Sequence, residues 1–186
     1  MKPSSVILGI DPGTNVLGYA IISVTNNRPS VVTLGVLKLG KYTDHYDRLH
    51  KIFQRVAGLI EEFQPDQFAI ESTFYGKNVQ SMLKLGRAQG VCIAAAANSS
   101  IPVFEYSPRR IKQVITGRGG ASKEQVSGML HHQLQFDESK YSLDATDALA
   151  VALCHHHSTR NPILSSGNDK KGGWDEFIRK NPGRIK

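Results

Sequence analysis

The sequence predicts an α/β fold: a mixed five-stranded sheet with helices on both faces. Two observations carry this. The first 40 residues hold three strand-like runs separated by turn residues, which reads as an antiparallel meander. Beyond them, short apolar runs alternate with stretches of three- and four-residue apolar periodicity, the pattern that lays helices over a partly parallel sheet. A chain of 186 residues, 40% of them hydrophobic, is long enough to bury such a core as one domain.

Val6 to Ile10 is an apolar run, Asp11-Pro12-Gly13-Thr14-Asn15 forms a turn, and Leu17 to Val24 returns with small and β-branched residues. A second turn at Asn26-Asn27-Arg28-Pro29 leads into Ser30 to Leu39. Tyr46, Leu49, Ile52, Phe53, Val56, Leu59, Ile60 and Phe63 then mark the apolar stripe of a helix ended by Pro65. Gln67 to Ile70 is a short buried strand finishing at Glu71, and after a loop over Ser72 to Lys77 a helix runs from about Asn78 to Ala97.

Ile101 to Phe104 is the fifth strand. Ser107-Pro108 places a capping residue before a proline at the first helical position, so Arg109 to Ile115 is helical. Gly117-Arg118-Gly119-Gly120 breaks that helix, and Ser122 with Gln125 has capping-box spacing for the next. A last helix covers Leu143 to His157, which sets a domain of residues 1–160. Residues 161–186 are polar, glycine-containing and basic at their end, a composition expected of a flexible tail.

The formal net charge of +7 and pI near 9.5 favour a polyanionic partner without choosing among DNA, RNA and anionic membrane. No stretch approaches the roughly 20 apolar residues of a membrane span, and Cys92 and Cys154 lie in apolar helical stretches that suit buried free thiols. A soluble cytoplasmic protein with no membrane association is the expectation. Cys154-His155-His156-His157 does not read as a zinc site, because consecutive helical residues point in different directions; a solvated helix end is the simpler reading.

Four acids stand out. Asp11 and Glu71 each follow a buried strand directly, and the carboxyl ends of strands are where open α/β sheets place ligands. Asp144 and Asp147, three apart at the start of the last helix, share one face. Singly, each has an ordinary structural role as turn former, strand end, N-cap or first-turn acid. Together in one cleft they would repel and be partly desolvated, which bound cations or raised pKa values would relieve. Oxygen ligands favour magnesium, with manganese as a substitute, and two such ions could support phosphodiester hydrolysis.

The segments Ile7-Leu8-Gly9-Ile10-Asp11-Pro12-Gly13-Thr14, Ala69-Ile70-Glu71-Ser72-Thr73-Phe74, Leu83-Lys84-Leu85-Gly86-Arg87-Ala88-Gln89-Gly90 and Asp144-Ala145-Thr146-Asp147-Ala148-Leu149-Ala150 resemble the RuvC family of Holliday junction resolvases. The resemblance spans residues 5 to about 160 and supplies the family's complete set of acids. It implies an RNase H-like fold, with Asp11, Glu71, Asp144 and Asp147 as catalytic, metal-binding residues. It further implies a bacterial homodimer that makes paired symmetric nicks in four-way DNA junctions during recombination and repair, leaves 5′-phosphate ends, and works with a branch-migration helicase complex. In that family the helix from Asn78 to Ala97, with Gly86 and Gly90 on one side, lies at the dimer interface.

By the same resemblance Lys112 and Lys123 match lysines used near the scissile phosphate, and Phe74 matches an aromatic that acts at the junction crossover. From the residues themselves, Arg109, Arg110, Lys112, Arg118 and Lys123 form a basic cluster beside the acids, a pattern suited to phosphate contact. Phe74 and Tyr75 could stack on opened bases from a loop that also carries Lys77. Two other readings compete. A catalytically inactive junction-binding scaffold would bind without cutting. The run Gly9 to Thr14 also resembles the phosphate loop of ATP-binding proteins of the actin and sugar-kinase superfamily, which need a second comparable domain for which this chain has no room.

Overall fold

A computed structural model of the chain describes residues 5–73, 78–137 and 140–160. Among these the element order is β1 (Ser5–Asp11), β2 (Val16–Thr25), β3 (Arg28–Lys38), α1 (His45–Phe63), β4 (Gln67–Glu71), α2 (Val79–Asn98), β5 (Val103–Tyr106), α3 (Pro108–Thr116), α4 (Lys123–Leu134) and α5 (Leu143–Arg160). Residues up to His156 make one compact unit; His157 onward counts as a second, of which residues 157–160 are described. The expected tail, Phe74, Tyr75 and Lys77 lie outside the described residues. No helix among the described residues is long and apolar enough to cross a membrane.

The strands form one mixed five-stranded sheet, as the sequence predicts, and their order is β3-β2-β1-β4-β5. β1 pairs antiparallel with β2 and β2 with β3, whereas β1 with β4 and β4 with β5 are parallel. The carboxyl ends of β1, β3, β4 and β5 therefore share one edge. Side chains alternate across the pleat. Ile7, Ala20, Ile22 and Ala69 join the core under α3, α4 and α5, while Leu8, Ile10, Leu17, Ile21, Phe68 and Ile70 join the core under α1 and α2. Burial on both faces explains why these strands read as continuous apolar runs.

The turn between β2 and β3 is tighter than predicted. Asn26 and Asn27 alone make it, with φ of 52° and 65°, values that asparagine tolerates in a two-residue hairpin. Arg28 and Pro29 already pair with Thr25 and Val24. Proline is accommodated there because β3 is an edge strand.

α1 is capped by Asp44 and stopped at Gln64 in the left-handed region, just before Pro65. Its buried face, Ile52, Val56, Leu59 and Ile60, is narrower than the predicted stripe, since Tyr46 and Phe53 are 71% and 41% exposed. β5 starts at Val103, later than the predicted Ile101. Pro102 has no N–H for a ladder, and only its carbonyl takes part, accepting from Phe68 N at 3.0 Å. The caps at Ser107, Gly117 and Ser122 fall where expected, the last as a full capping box with Gln125.

One expectation fails. The Cys154-His155-His156 run is buried, not a solvated helix end: His155 is fully enclosed and His156 nearly so. His155 Nδ1 shares a 2.7 Å hydrogen bond with the Tyr106 hydroxyl, and its Nε2 lies 3.1 Å from Gln67 Oε1. Burial first, and the neighbouring His156 second, push the His155 pKa down to about 4. A neutral imidazole can serve as both donor and acceptor, so the ring ties α5 to β4 and β5. Cys92 and Cys154 are buried free thiols, as predicted.

Candidate active site

The site is set by how closely α5 lies on the sheet. Gly9 of β1 and Gly18 of β2 face that helix. A Cβ at Gly9 would stand 2.5 Å from the Ala148 carbonyl oxygen and 2.7 Å from Ala152 Cβ, and one at Gly18 would overlap the Asp144 carbonyl. Ala145, Ala148 and Ala152, all buried, are the matching small residues on α5. Because residues 9 and 11 point to the same face of β1, a helix resting on Gly9 delivers its first turns beside Asp11.

Asp11, Asp144 and Asp147 each offer a carboxylate oxygen, and these atoms lie within 4.8 Å of one another. Glu71 ends the neighbouring parallel strand, where Ile10 is in register with Ile70, and so emerges beside Asp11 on the same face. It stands outside the 4.8 Å group, yet its charge acts on Asp11 and that of Asp147 acts on it. The four acids singled out by sequence are thus brought to one edge, three as a cluster and the fourth next to it.

Their electrostatics reflect uncompensated negative charge. Burial, then the charges of Glu71 and Asp147, push the Asp11 pKa up to about 8, with Lys123 opposing and Asp144 adding to the rise. Burial and Asp147 push Glu71 up to about 7, against Lys123 and Lys112. Lys123 donates to Asp147 Oδ2, with the two side chains 55% and 21% exposed. An all-oxygen donor set with surplus negative charge suits a hard divalent cation such as Mg²⁺ or Mn²⁺.

Two of the predicted cations act on this cluster. Lys112 and Lys123 reach it electrostatically. Arg109 and Arg110 stand on the first turn of α3, and Arg118 in the loop behind it. That loop is held in shape: Gln113 donates to Gly117 O at 2.7 Å and accepts from Gly119 N at 3.0 Å, and the Thr116 hydroxyl donates to Arg118 O at 3.1 Å. The Arg109 side chain fills the space beside Gly119.

Sequence reasoning missed the positioning residues. Gly9 and Gly18 were legible only as small residues in strands. Arg48 was missed too: its Nε donates to Tyr42 O at 2.7 Å, and its Nη1 to Thr14 O at 3.0 Å and Asn15 Oδ1 at 2.7 Å. It thereby pins the loop that follows Asp11. The available signal was a cation in the first turn of a helix, where the macrodipole disfavours it.

The model of the family described as crossover junction endodeoxyribonuclease RuvC matches residues 7–155. Among similar proteins, the crossover junction endodeoxyribonuclease RuvC of Cytophaga hutchinsonii is 54% identical over 97% of this chain and 88% of that protein. Its counterpart in Porphyromonas gingivalis is 50% identical over the full length of both. Among solved structures, Thermus thermophilus RuvC in complex with a Holliday junction substrate superposes with a TM-score of 0.78 at 30% identity, covering 84% of this chain and 95% of that one. The yeast mitochondrial Holliday junction resolvase Ydc2, 15% identical with a TM-score of 0.51, shares the fold.

Proposed function

From the premise that this chain belongs to the RuvC family of crossover junction endodeoxyribonucleases, we propose that Asp11, Glu71, Asp144 and Asp147 are its catalytic acids and hold two Mg²⁺ ions while it cuts. The family's activity, endonucleolytic resolution of Holliday junctions in recombination and repair, is the activity of this chain. The observation that carries the assignment of the site is the three aspartate carboxylates within 4.8 Å of one another beside Glu71.

When bound, such ions supply a water-derived nucleophile at neutral pH and stabilise the leaving oxygen. The protein's share is positional. Asp11 and Glu71, fixed by adjacent strands, and Asp144 and Asp147, fixed by α5, hold the donor oxygens with little freedom to reorganise. Lys123, paired with Asp147 in the free protein, and Lys112, which acts on Glu71, bind the scissile phosphate once the acids are neutralised. Arg109, Arg110 and Arg118 hold neighbouring phosphates, and Phe74 with Lys77 engages the crossover from the loop after Glu71. Four-way junction DNA is the substrate, and the products carry 5′ phosphates.

The working unit is a homodimer. Val79, Leu83, Gly86, Gly90, Ala94 and Ala97 make one exposed apolar and small stripe along α2. A contiguous apolar stripe on a monomer's surface marks a protein contact, and two such stripes packed together place two active sites on one junction. In keeping with the family, the dimer acts in the bacterial cytoplasm beside a branch-migration helicase complex.

The test is denaturing-gel analysis of an end-labelled synthetic four-way junction with purified protein and Mg²⁺, against a linear duplex of matching sequence. Symmetric nicks confined to the junction are expected. Binding without nicking across a panel of thymine-containing crossovers would instead favour the inactive-scaffold reading.

A further inference from the structure

The strands that lead into α1 and α2, β3 and β4, run parallel to β1 and end at its edge of the sheet. The first turns of both helices therefore lie at the end of the sheet that carries the acids, on the face opposite α5. Four basic side chains stand on the first three turns of these helices: His45 and Arg48 from α1, Lys84 and Arg87 from α2. The charges of Arg87, Lys84 and Arg48 all act on the His45 ring. Burial, followed by those three cations in that order, holds its pKa below the ordinary value, with Asp44 opposing.

Three features separate this cluster from an ordinary solvated face. His45 Nε2 is enclosed without a hydrogen-bond partner among the described residues. Lys84 and Arg87 are exposed and enter no ion pair among the described residues, so both are open to an anion. The cluster is also tied to the segment behind Asp11, where Arg48 holds Thr14 and Asn15, and α2 is the next element after β4 and its Glu71. A concentration of like charge beside a site for an anionic polymer attracts more of that polymer's backbone.

We propose that Lys84 and Arg87, backed by His45 and Arg48, bind a second run of DNA backbone phosphates, on the opposite face of the sheet from those engaged by Lys112 and Lys123. The inference rests on the reading of this chain as a junction nuclease. It gives the metal cluster two cationic flanks, one formed by α3 and α4 and one by α1 and α2, so that DNA crossing the sheet edge is held on both sides of the acids. An ammonium and a forked guanidinium on successive turns suit adjacent phosphates.

The experiment is equilibrium binding of a fluorescent four-way junction without divalent metal, as a salt series, for wild type, Lys84→Ala/Arg87→Ala, the charge-keeping Lys84→Arg/Arg87→Lys, and Lys51→Ala as a control on another part of α1. Loss of two phosphate contacts should lower the slope of log affinity against log salt by about 2 and weaken binding roughly 5- to 20-fold near physiological salt. The charge-keeping variant should restore both, and the control should match wild type. An unchanged affinity and slope in the alanine variant overturns the proposal. So does a fall in its mass by light scattering from dimer to monomer, which would make the pair dimer contacts. Failure of wild type itself to bind the junction would instead strike at the functional reading.

Discussion

Replacing Gly9 by alanine tests whether the spacing between sheet and last helix sets the chemistry. The new methyl group would meet the Ala148 carbonyl oxygen at 2.5 Å and Ala152 Cβ at 2.7 Å. Neither atom can rotate aside. Ordinary contacts of a methyl carbon begin near 3.5 Å, so α5 must retreat by roughly 0.7 to 1 Å. Overpacking of this kind costs about 1–3 kcal/mol, a fall in Tm of about 2–12 °C for a domain of this size. The same retreat draws Asp144 and Asp147 away from Asp11, and misplacing reacting groups by about 1 Å can cost about 100-fold in rate.

The assay is single-turnover nicking of a labelled four-way junction at saturating protein and Mg²⁺, read beside thermal unfolding and junction binding. We expect nicking to fall by about 10- to 100-fold, with binding nearly unchanged because none of the residues assigned to phosphate contact lies on α5. Gly58→Ala is the matched control: it sits inside α1 with nothing within 4 Å of its added carbon. It should gain about 0.5–1 kcal/mol from helix propensity and cut normally. A Gly9→Ala protein that folds and nicks at the wild-type rate would refute the idea that this contact positions the acids.

Further outcomes are expected. Asp147→Asn should abolish detectable nicking while the variant still retards the junction on a native gel; undiminished nicking would remove Asp147 from the catalytic set. In metal-free buffer the raised Asp11 pKa, 3.8 unfolded against about 8 folded, makes the folded state bind more protons than the unfolded one. Its contribution is full below the unfolded value and is lost as pH rises through the folded one. Thermal unfolding in chelator should therefore show a lower Tm at pH 8 than at pH 5, with the drop reduced in Asp11→Asn and reversed by Mg²⁺ for wild type only; a pH-independent Tm in both proteins would contradict this. Leu83→Glu should convert dimer to monomer by light scattering, whereas an unaltered mass would place the interface elsewhere. Lys112→Ala should slow nicking about tenfold and lower the salt slope of junction binding by about 1.

Much of this architecture was legible because local chemistry and fold agree. Apolar runs ending in acids gave β1 with Asp11 and β4 with Glu71, and the three-residue spacing of Asp144 and Asp147 gave their shared face. Ser107-Pro108 and the Ser122–Gln125 box marked helix starts to the residue. What stayed hidden depends on contacts distant in sequence. Periodicity could not tell that Tyr46 and Phe53 overhang the edge of the α1 stripe, nor that His155 is claimed by Tyr106 and Gln67. A glycine in a strand does not announce the helix that will lie against it, so the role of Gly9 emerged only with α5 in place. Arg48 likewise bonds to a loop more than thirty residues earlier in the chain.

The dispersal of the acids along the chain has a consequence for when the enzyme can act. Asp11 and Glu71 come from its first half, but Asp144 and Asp147 come from the last described helix, and α5 reaches them to Asp11 only by settling on Gly9 and Gly18. On the assignment proposed above, a nascent chain still short of that helix, or one clipped before it, has half a ligand set. On that reading DNA cutting waits until synthesis has passed α5 and the helix has settled on the sheet, with no inhibitor needed.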